Sequence, residues 1–407
     1  MTEQVLIDLI RIPSTRGHEG PAIQYMHDAL LSLVDTCHLV RIEDSIMEDP
    51  DYAFRLPGHS YADTPNLECI VRGSGGGSPI VFNTHLDVVP PSEGQEHAFD
   101  PRVEHGVVFG RGACDAKGQA ATLFAMISLL RERGVLPLSD LLFHFVIEEE
   151  CGGNGTLAMI RRGVKAAAAV VCEPSELAVV PAARGAVWFH LRALGKGGHS
   201  GSKASTISAL KKAIDAIEII ERYHDRLLMA SRGHPLFDRY QDPMPVTFGV
   251  CSAGEWPATV PSEATVKGVF GFLPNRSRHQ VQRELKQAIV TEGDEWLQRH
   301  CEITFPMLNS DGFSLSEDHP LVTTLVKAVR RSGAPGKVRA MTASSDAWLY
   351  NNKAGIPTVL FGPGSIAHAH SALEQICMDD IMTAASALVE FVQHFGSTEG
   401  NYGSGTR

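Results

Sequence analysis

Pro79–Asp87 reads PIVFNTHLD. The short apolar run follows a Gly/Ser stretch, Ser74–Ser78 (SGGGS), that predicts a turn. Such a run predicts a strand buried on both faces, and this one ends directly in a histidine and an aspartate. Two other stretches repeat the form. Leu141–Ile147, LLFHFVI, runs into Glu148, Glu149 and Glu150, and Ala166–Cys172, AAAAVVC, runs into Glu173. Between them, Gly118–Arg133, GQAATLFAMISLLRER, has helical apolar spacing and good helix formers, and Gly155–Arg162 predicts a shorter helix. Strands alternating with helices predict an α/β class with a mostly parallel sheet covered on both faces.

Working outward, Glu3–Arg11 and Pro21–Leu33 read as helices and Asn66–Arg72 as a strand. Ser45–Pro65 is a long, poorly patterned loop, a length more often functional than filler. Near Ala186 the rhythm changes. Strand-like Ala186–Leu194 is followed by a helix over Ala204–Leu228 and strands over Pro245–Cys251 and Ala264–Leu273. A helix over Arg278–Gln298 and a strand over Cys301–Met307 complete a β-α-β-β-α-β order, that of a ferredoxin-like α+β unit. The first rhythm then resumes with helix His319–Arg331, strand Pro357–Phe361 and helix Asp379–His394. The expected organisation is a discontinuous domain, 1–185 and 312–407, with an insertion, 186–311, and a loose tail, GSTEGNYGSGTR.

Composition narrows the partners. The chain has 407 residues, 43% hydrophobic and 20% charged, enough for two domains and a full core without disulfides. Its net charge of −11 disfavours nucleic acid and anionic membrane surfaces. Apolar runs stay below the ~18 residues of a spanning helix, and MTEQVLIDLIRIPSTRGHEG does not read as a signal peptide. Eight scattered cysteines without a CxxC pair predict a reducing, cytoplasmic location. The glycine clusters at Gly152–Gly155 and Gly195–Gly198 lack the ending and context of phosphate loops and read as turns.

The polar residues then fall into a pattern. His85 and Asp87, the three glutamates, and Glu173 each follow a strand; His368 and His370 follow PTVLF; Asp115 precedes a helix. In open α/β sheets the ligand crevice lies beyond the carboxyl ends of the strands. Taken singly, each motif is an ordinary solvated loop. Together they gather carboxylates whose repulsion and desolvation a divalent cation would offset. A His/Asp/Glu set suits zinc or a related transition ion better than magnesium. Cys114, Cys151 and Cys172 neighbour candidate ligands, but adjacent residues in extended chain face opposite ways, which argues against thiolate ligation.

These stretches carry a family likeness. THLDVVP, GRGACDAKG, VIEEECGGNGT, VCEPS, GKGGHSG, EWPATVP, SSDAWL and GIPTVLFGPG…HAHSALEQI occur in order from Thr84 to Ile376. With them the chain resembles the M20 family of zinc peptidases and amidohydrolases, and EWPATVP is similar to its acetylornithine-deacetylase-like branch. The resemblance implies a zinc-hydrolase domain with an inserted lid, or dimerisation, domain and a homodimer formed through that lid. It implies two zinc ions, with cobalt or manganese as alternatives, bridged by Asp115. His85 and Glu173 would hold one ion, Glu150 and His370 the other. His370 is preferred to His368 because a glutamate, Glu374, follows it by four residues. Asp87 would orient His85, Glu149 would be the general base, Glu148 would stand outside, and His199 would reach the substrate carbonyl, in many members from the neighbouring subunit.

The implied chemistry is amide hydrolysis of a small N-acyl amino acid or related N-acyl amine. Zinc lowers the pKa of bound water toward ~7, and a free Glu149 passes its proton to the leaving amine. Two departures weaken an acidic acyl specificity: Trp348 stands where some members carry Arg, and Gly271 stands at the Arg position of VFGFLPN. Arg184 and Arg276 remain as candidate carboxylate contacts. A dipeptidase or carboxypeptidase with the same core is the nearest alternative, and a silent binding protein a more distant one, because fold alone does not choose the substrate.

Overall fold

The computed structural model describes residues 1–75 and 77–396. Gly76, within the expected SGGGS turn, and the tail 397–407 lie outside the described residues. The larger sheet has nine strands. Its order is Thr36–Val40, Asn66–Val71, Ser139–Val146, Gly77–His85, Ala168–Val171, Thr358–Leu360, Val179–Ala183 and Phe313–Ser314, with Val338–Met341 also paired to Val179–Ala183. The four central strands, Ser139–Val146 to Thr358–Leu360, are parallel. Antiparallel pairs flank them on both sides.

Period-two alternation puts apolar residues on both faces of the centre. Phe82 stacks on Phe143 at 5.3 Å and joins Leu123 and Met126 of the helix Lys117–Glu132. Its neighbour Val81 packs on the opposite face with Leu157, Trp348 and Leu360. Burial of the Phe82 ring contributes roughly 2–3 kcal/mol. Because these strands are parallel and in register, with His85 opposite Val146 and Asn83 opposite Val171, their carboxyl ends finish side by side.

Residues 185–310 form a second, antiparallel sheet in the order Val246–Ala253, Glu263–Phe272, Gly185–Leu194, Cys301–Thr304, with Asn309–Ser310 alongside Gly185–Leu194. Val187, Phe189 and Leu191 pack against Ala213 and Ile220 of the helix Ala209–Ala230 and Leu285 of the helix Arg278–Glu292. Ala186 and Trp188 alternate to the other face.

Two expected helices differ in extent. The one predicted over Arg278–Gln298 is split into Arg278–Glu292 and Glu295–His300. Gly293 closes the first on the Ile289 carbonyl, and Asp294 caps the second by accepting from Leu297 N–H at 2.9 Å. The one predicted from Ala204 starts at Ala209, where Ser208 accepts from Lys211 N–H.

The long loop over Ser45–Pro65 carries little regular structure and is held by buried charge. Asp51 takes Lys353 Nζ at 2.7 Å, Arg161 Nη2 at 2.6 Å and Arg278 Nη2. Arg278 opens its helix and lies 4.9 Å above the buried Trp348 ring, so this contact joins the second sheet's unit to the first. Farther along, Tyr61 donates to Glu148 at 2.5 Å and His59 lies 3.1 Å from the same carboxylate. No helix among the described residues is long and apolar enough to cross a membrane.

Candidate active site and metal centre

His85 ends its strand, Glu149 and Glu150 follow Ser139–Val146, and Glu173 follows Ala168–Val171. The aligned strand ends therefore set these side chains around one cleft. Asp115 enters from the turn before Lys117–Glu132, and His370 from the loop after Thr358–Leu360. Two donor groups result, His85–Asp115–Glu173 and Asp115–Glu150–His370, each with ligand atoms within 4.8 Å of one another. They share Asp115. The first is buried; the second opens outward, with the His370 side chain 50% exposed. These are the five ligand candidates read from the sequence. Among the described residues, the groups with metal-holding geometry contain no cysteine. Cys114 instead donates to the Ser365 carbonyl.

The supports are specific. His85 Nδ1 lies 3.0 Å from the Asp87 carbonyl, which leaves Nε2 facing Asp115 at 3.0 Å. Donation from Nδ1 fixes the tautomer whose Nε2 lone pair can bind a cation. The Asp87 carboxylate does something sequence reasoning did not foresee. Its two oxygens accept the backbone N–H groups of Glu149 at 3.1 Å and Glu150 at 3.0 Å, and it reaches His85 Nδ1 at only 3.3 Å. Asp87 thus orients His85 mainly through its carbonyl and fixes the glutamate turn with its side chain. Glu374 accepts from Cys114 N–H and Asp115 N–H at 3.1 and 3.0 Å and is paired with Arg111. Arg111 also donates to Ser92 at 2.7 Å, and Ser92 donates to the His370 carbonyl at 2.8 Å. One chain of bonds, buried at Arg111 and Glu374 and open at Ser92, therefore positions both Asp115 and His370.

The electrostatics show a shortage of positive charge. Burial, then the neighbouring Asp346 and Glu173 charges, pushes the Glu149 carboxyl well above its ordinary range. Burial likewise drives Glu173 up, with Asp115 and Asp346 adding to it against His85. Glu150 is pushed up to about 7 by burial and Asp115. His370 is held up at about 9, first by its 2.9 Å bond to Glu150. Burial opposes charge on both His85 and Asp115, yet their mutual bond keeps His85 high and Asp115 low. A set of oxygen and imidazole donors short of cations is a chemical fit for divalent metal.

Glu149 belongs to neither donor group, yet lines the same cleft of about 370 Å³. Arg184, Trp188, Thr247 and Val269 line it as well. Arg184 spends Nε on the Thr342 carbonyl and Nη1 on that of Gly185. Two other expected substrate contacts are not brought there. His199 is exposed on a short strand pairing with Thr259–Val260 and accepts from Gly201 N–H. Arg276 bonds the Asn275 carbonyl, faces Glu284 at 3.8 Å and does not line the cleft. Glu148 stands outside the donor groups as expected, but it is fully buried on Arg16, Tyr61 and Asn154.

Asp346, in SSDAW, was assigned no role from sequence. It is buried beside Glu149 and Glu173, accepts from Thr156 Oγ1, and is raised to about 7 by burial. A Cβ at Gly153, which has φ +81°, would lie 2.2 Å from Asp346 Oδ1, so the turn after the glutamates admits only glycine.

Residues 81–394 match the model of peptidase family M20/M25/M40. The chain belongs to that family. It is 28% identical over 367 residues to an N-formyl-4-amino-5-aminomethyl-2-methylpyrimidine deformylase from Halalkalibacterium halodurans, covering 82% of this chain and 83% of that one. It is 27% identical over 338 residues to an acetylornithine deacetylase from Myxococcus xanthus, covering 81% and 84%. An M20 metallo-carboxypeptidase from Sulfolobus solfataricus shares the fold, with a TM-score of 0.74 at 17% identity over 96% of this chain and 98% of that one. As an M20 protein the chain is a hydrolase of amide bonds.

Proposed function

We propose that this M20 hydrolase removes the acyl group from a small N-acyl amino acid or related N-acyl amine. The observation that carries the reading is a pair of donor groups joined at Asp115, with a free carboxylate, Glu149, lining the same cleft. Zinc is the fitting metal, one ion on His85, Asp115 and Glu173 and a second on Asp115, Glu150 and His370, where it would supply Lewis acidity toward the amide carbonyl and acidify water. Glu149 takes the proton of the attacking water and delivers it to the departing amine nitrogen. Asp87 holds Glu149 for that task through its backbone N–H. Arg184 keeps Nη2 for a substrate carboxylate or carbonyl, while Trp188 and Val269 offer an apolar floor. The names of the two deacylating relatives support this substrate class.

Several further assignments belong to the same reading. Residues 186–311 act as lid and dimerisation domain between 1–185 and 312–407. His199, exposed in its own chain, serves the cleft of a partner subunit. The enzyme works in the cytoplasm, for which its scattered free cysteines speak.

The test is a hydrolysis panel after loading with zinc, cobalt or manganese. N-formyl and N-acetyl amino acids and amines should turn over well ahead of dipeptides. Preference for dipeptides would replace this reading with the peptidase one. Absence of both metal uptake and turnover would remove it.

A further inference from the structure

Cys37 lies in the outermost strand of the large sheet, Thr36–Val40, and Cys69 in its neighbour, Asn66–Val71. The antiparallel register sets them directly opposite each other. Directly opposed residues in such a pair have Cα atoms about 4.5–5.5 Å apart, within the span a disulfide needs. Their sulfurs are 3.0 Å apart, and both residues are free thiols. Cys69 is fully buried, whereas Cys37 is half-buried and so the accessible partner. No part of the hydrolytic cleft uses either residue.

We propose that Cys37 and Cys69 are a redox modification site, which closes to an intrachain disulfide by exchange with a low-molecular-weight disulfide of the glutathione type. The Cys37 thiolate attacks one sulfur of that oxidant and expels the first small thiolate. Cys69 then gives up its proton and attacks Cys37 Sγ, and the second small thiolate leaves. Two protein thiols lose two electrons, and one small disulfide becomes two small thiols. The hydrogen bond from Cys69 lowers the Cys37 pKa and so favours Cys37 as the first nucleophile. Closing the bond needs the sulfurs to approach by about 1 Å, a side-chain adjustment rather than a change of register.

The location gives the bond a consequence. Cys37 and Cys69 stand at the two stems of the long loop. That loop sends Asp51 to Arg278 and sends Tyr61 and His59 to Glu148, the residue before the proposed general base. A staple at its stems holds together the segment that touches both the second sheet's unit and the glutamate turn. In a reducing compartment such a bond is transient and reports the local thiol poise.

The experiment incubates the metal-loaded full chain, with the exposed Cys251 replaced (Cys251→Ser), with oxidised glutathione and counts thiols after denaturation. The count should fall from seven to five, with the intact mass lower by two hydrogens and a Cys37–Cys69 peptide in the digest. The melting midpoint should rise by a few degrees and return with dithiothreitol. Cys69→Ser should stop at one glutathione adduct on Cys37, and Cys37→Ser should keep its remaining thiols free. Seven persistent thiols, an adduct on Cys37 that never resolves while Cys69 is present, or a bridge involving other cysteines would overturn the proposal.

Discussion

Asp51 and Glu173 are both buried carboxylates, and the chain treats them in opposite ways. Around Asp51 it places Arg278, Lys353 and Arg161. Burial would raise the Asp51 pKa, but these cations outweigh it and hold the carboxyl below its ordinary range. Around Glu173 it places Asp115, Asp346 and Glu150, with His85 as the counterweight, and the carboxyl is driven well above that range. Glu148 follows the first pattern, fully buried but bonded to Arg16 at 2.7 Å, although it is the immediate neighbour of Glu149. An acid supplied with internal cations is a structural joint. A cluster denied them is a place kept for a cation from outside.

The largest expected effect separates the two kinds of acid inside the cleft. Glu149→Ala should lower kcat about 10³-fold while zinc content stays near two per chain, read by elemental analysis beside the turnover assay. Loss of metal in that variant would move Glu149 into the donor set and dissolve the distinction. Between the regions, Asp51→Ala should destabilise the fold by about 3 kcal/mol, because it strands the buried Arg278 guanidinium, while the more exposed Arg161 and Lys353 can turn to solvent. Glu173→Gln should weaken metal retention but leave the urea midpoint of the metal-free protein unchanged or higher. Equal loss of stability in both variants would erase the contrast.

A pH-resolved test concerns a buried acid of a third kind. Glu19, beside the first residue of the helix Gly20–Leu30, is fully buried, and no side chain donates to its carboxylate. Burial, with Asp87 and Glu148 nearby, raises it to about 8. Its folded pKa lies above its unfolded value, so its contribution to stability is full below pH ~4.5 and is lost as pH rises through about 8. Glu19→Gln removes that dependence. The midpoint difference between variant and wild type should grow in the variant's favour from pH 5 to pH 8.5, read by urea titration at both; a constant difference would deny Glu19 the role.

The strands that end in His85, Glu150 and Glu173 were legible because apolar runs and terminal acids are adjacent in the chain. Thr36–Val40 was missed because an edge strand with exposed His38 and Leu39 has no buried-run signal. The split of the helix at Gly293 and Asp294 was readable in hindsight from helix-stop and cap chemistry. Asp346 and Arg278 carried no local signal, since each acts on residues far along the chain; Glu374 marked His370 by its spacing, but its bonds to Arg111 and to the Asp115 turn had no sequence signal. Within the three consecutive glutamates, spacing alone assigns nothing. The backbone of Glu148 has φ +57°, and this turn carries Glu148 to Arg16 and Tyr61 while Glu149 and Glu150 enter the cleft.

The unequal depth of the two donor groups has a kinetic corollary. His85 is sealed, while His370 stands at the mouth of the cleft. Ions on the two sides should therefore exchange at different speeds, the outer one with solvent directly and the inner one only after it. Brief exposure to a chelator would yield a half-loaded species, and a second metal added then would produce a mixed pair in a defined order.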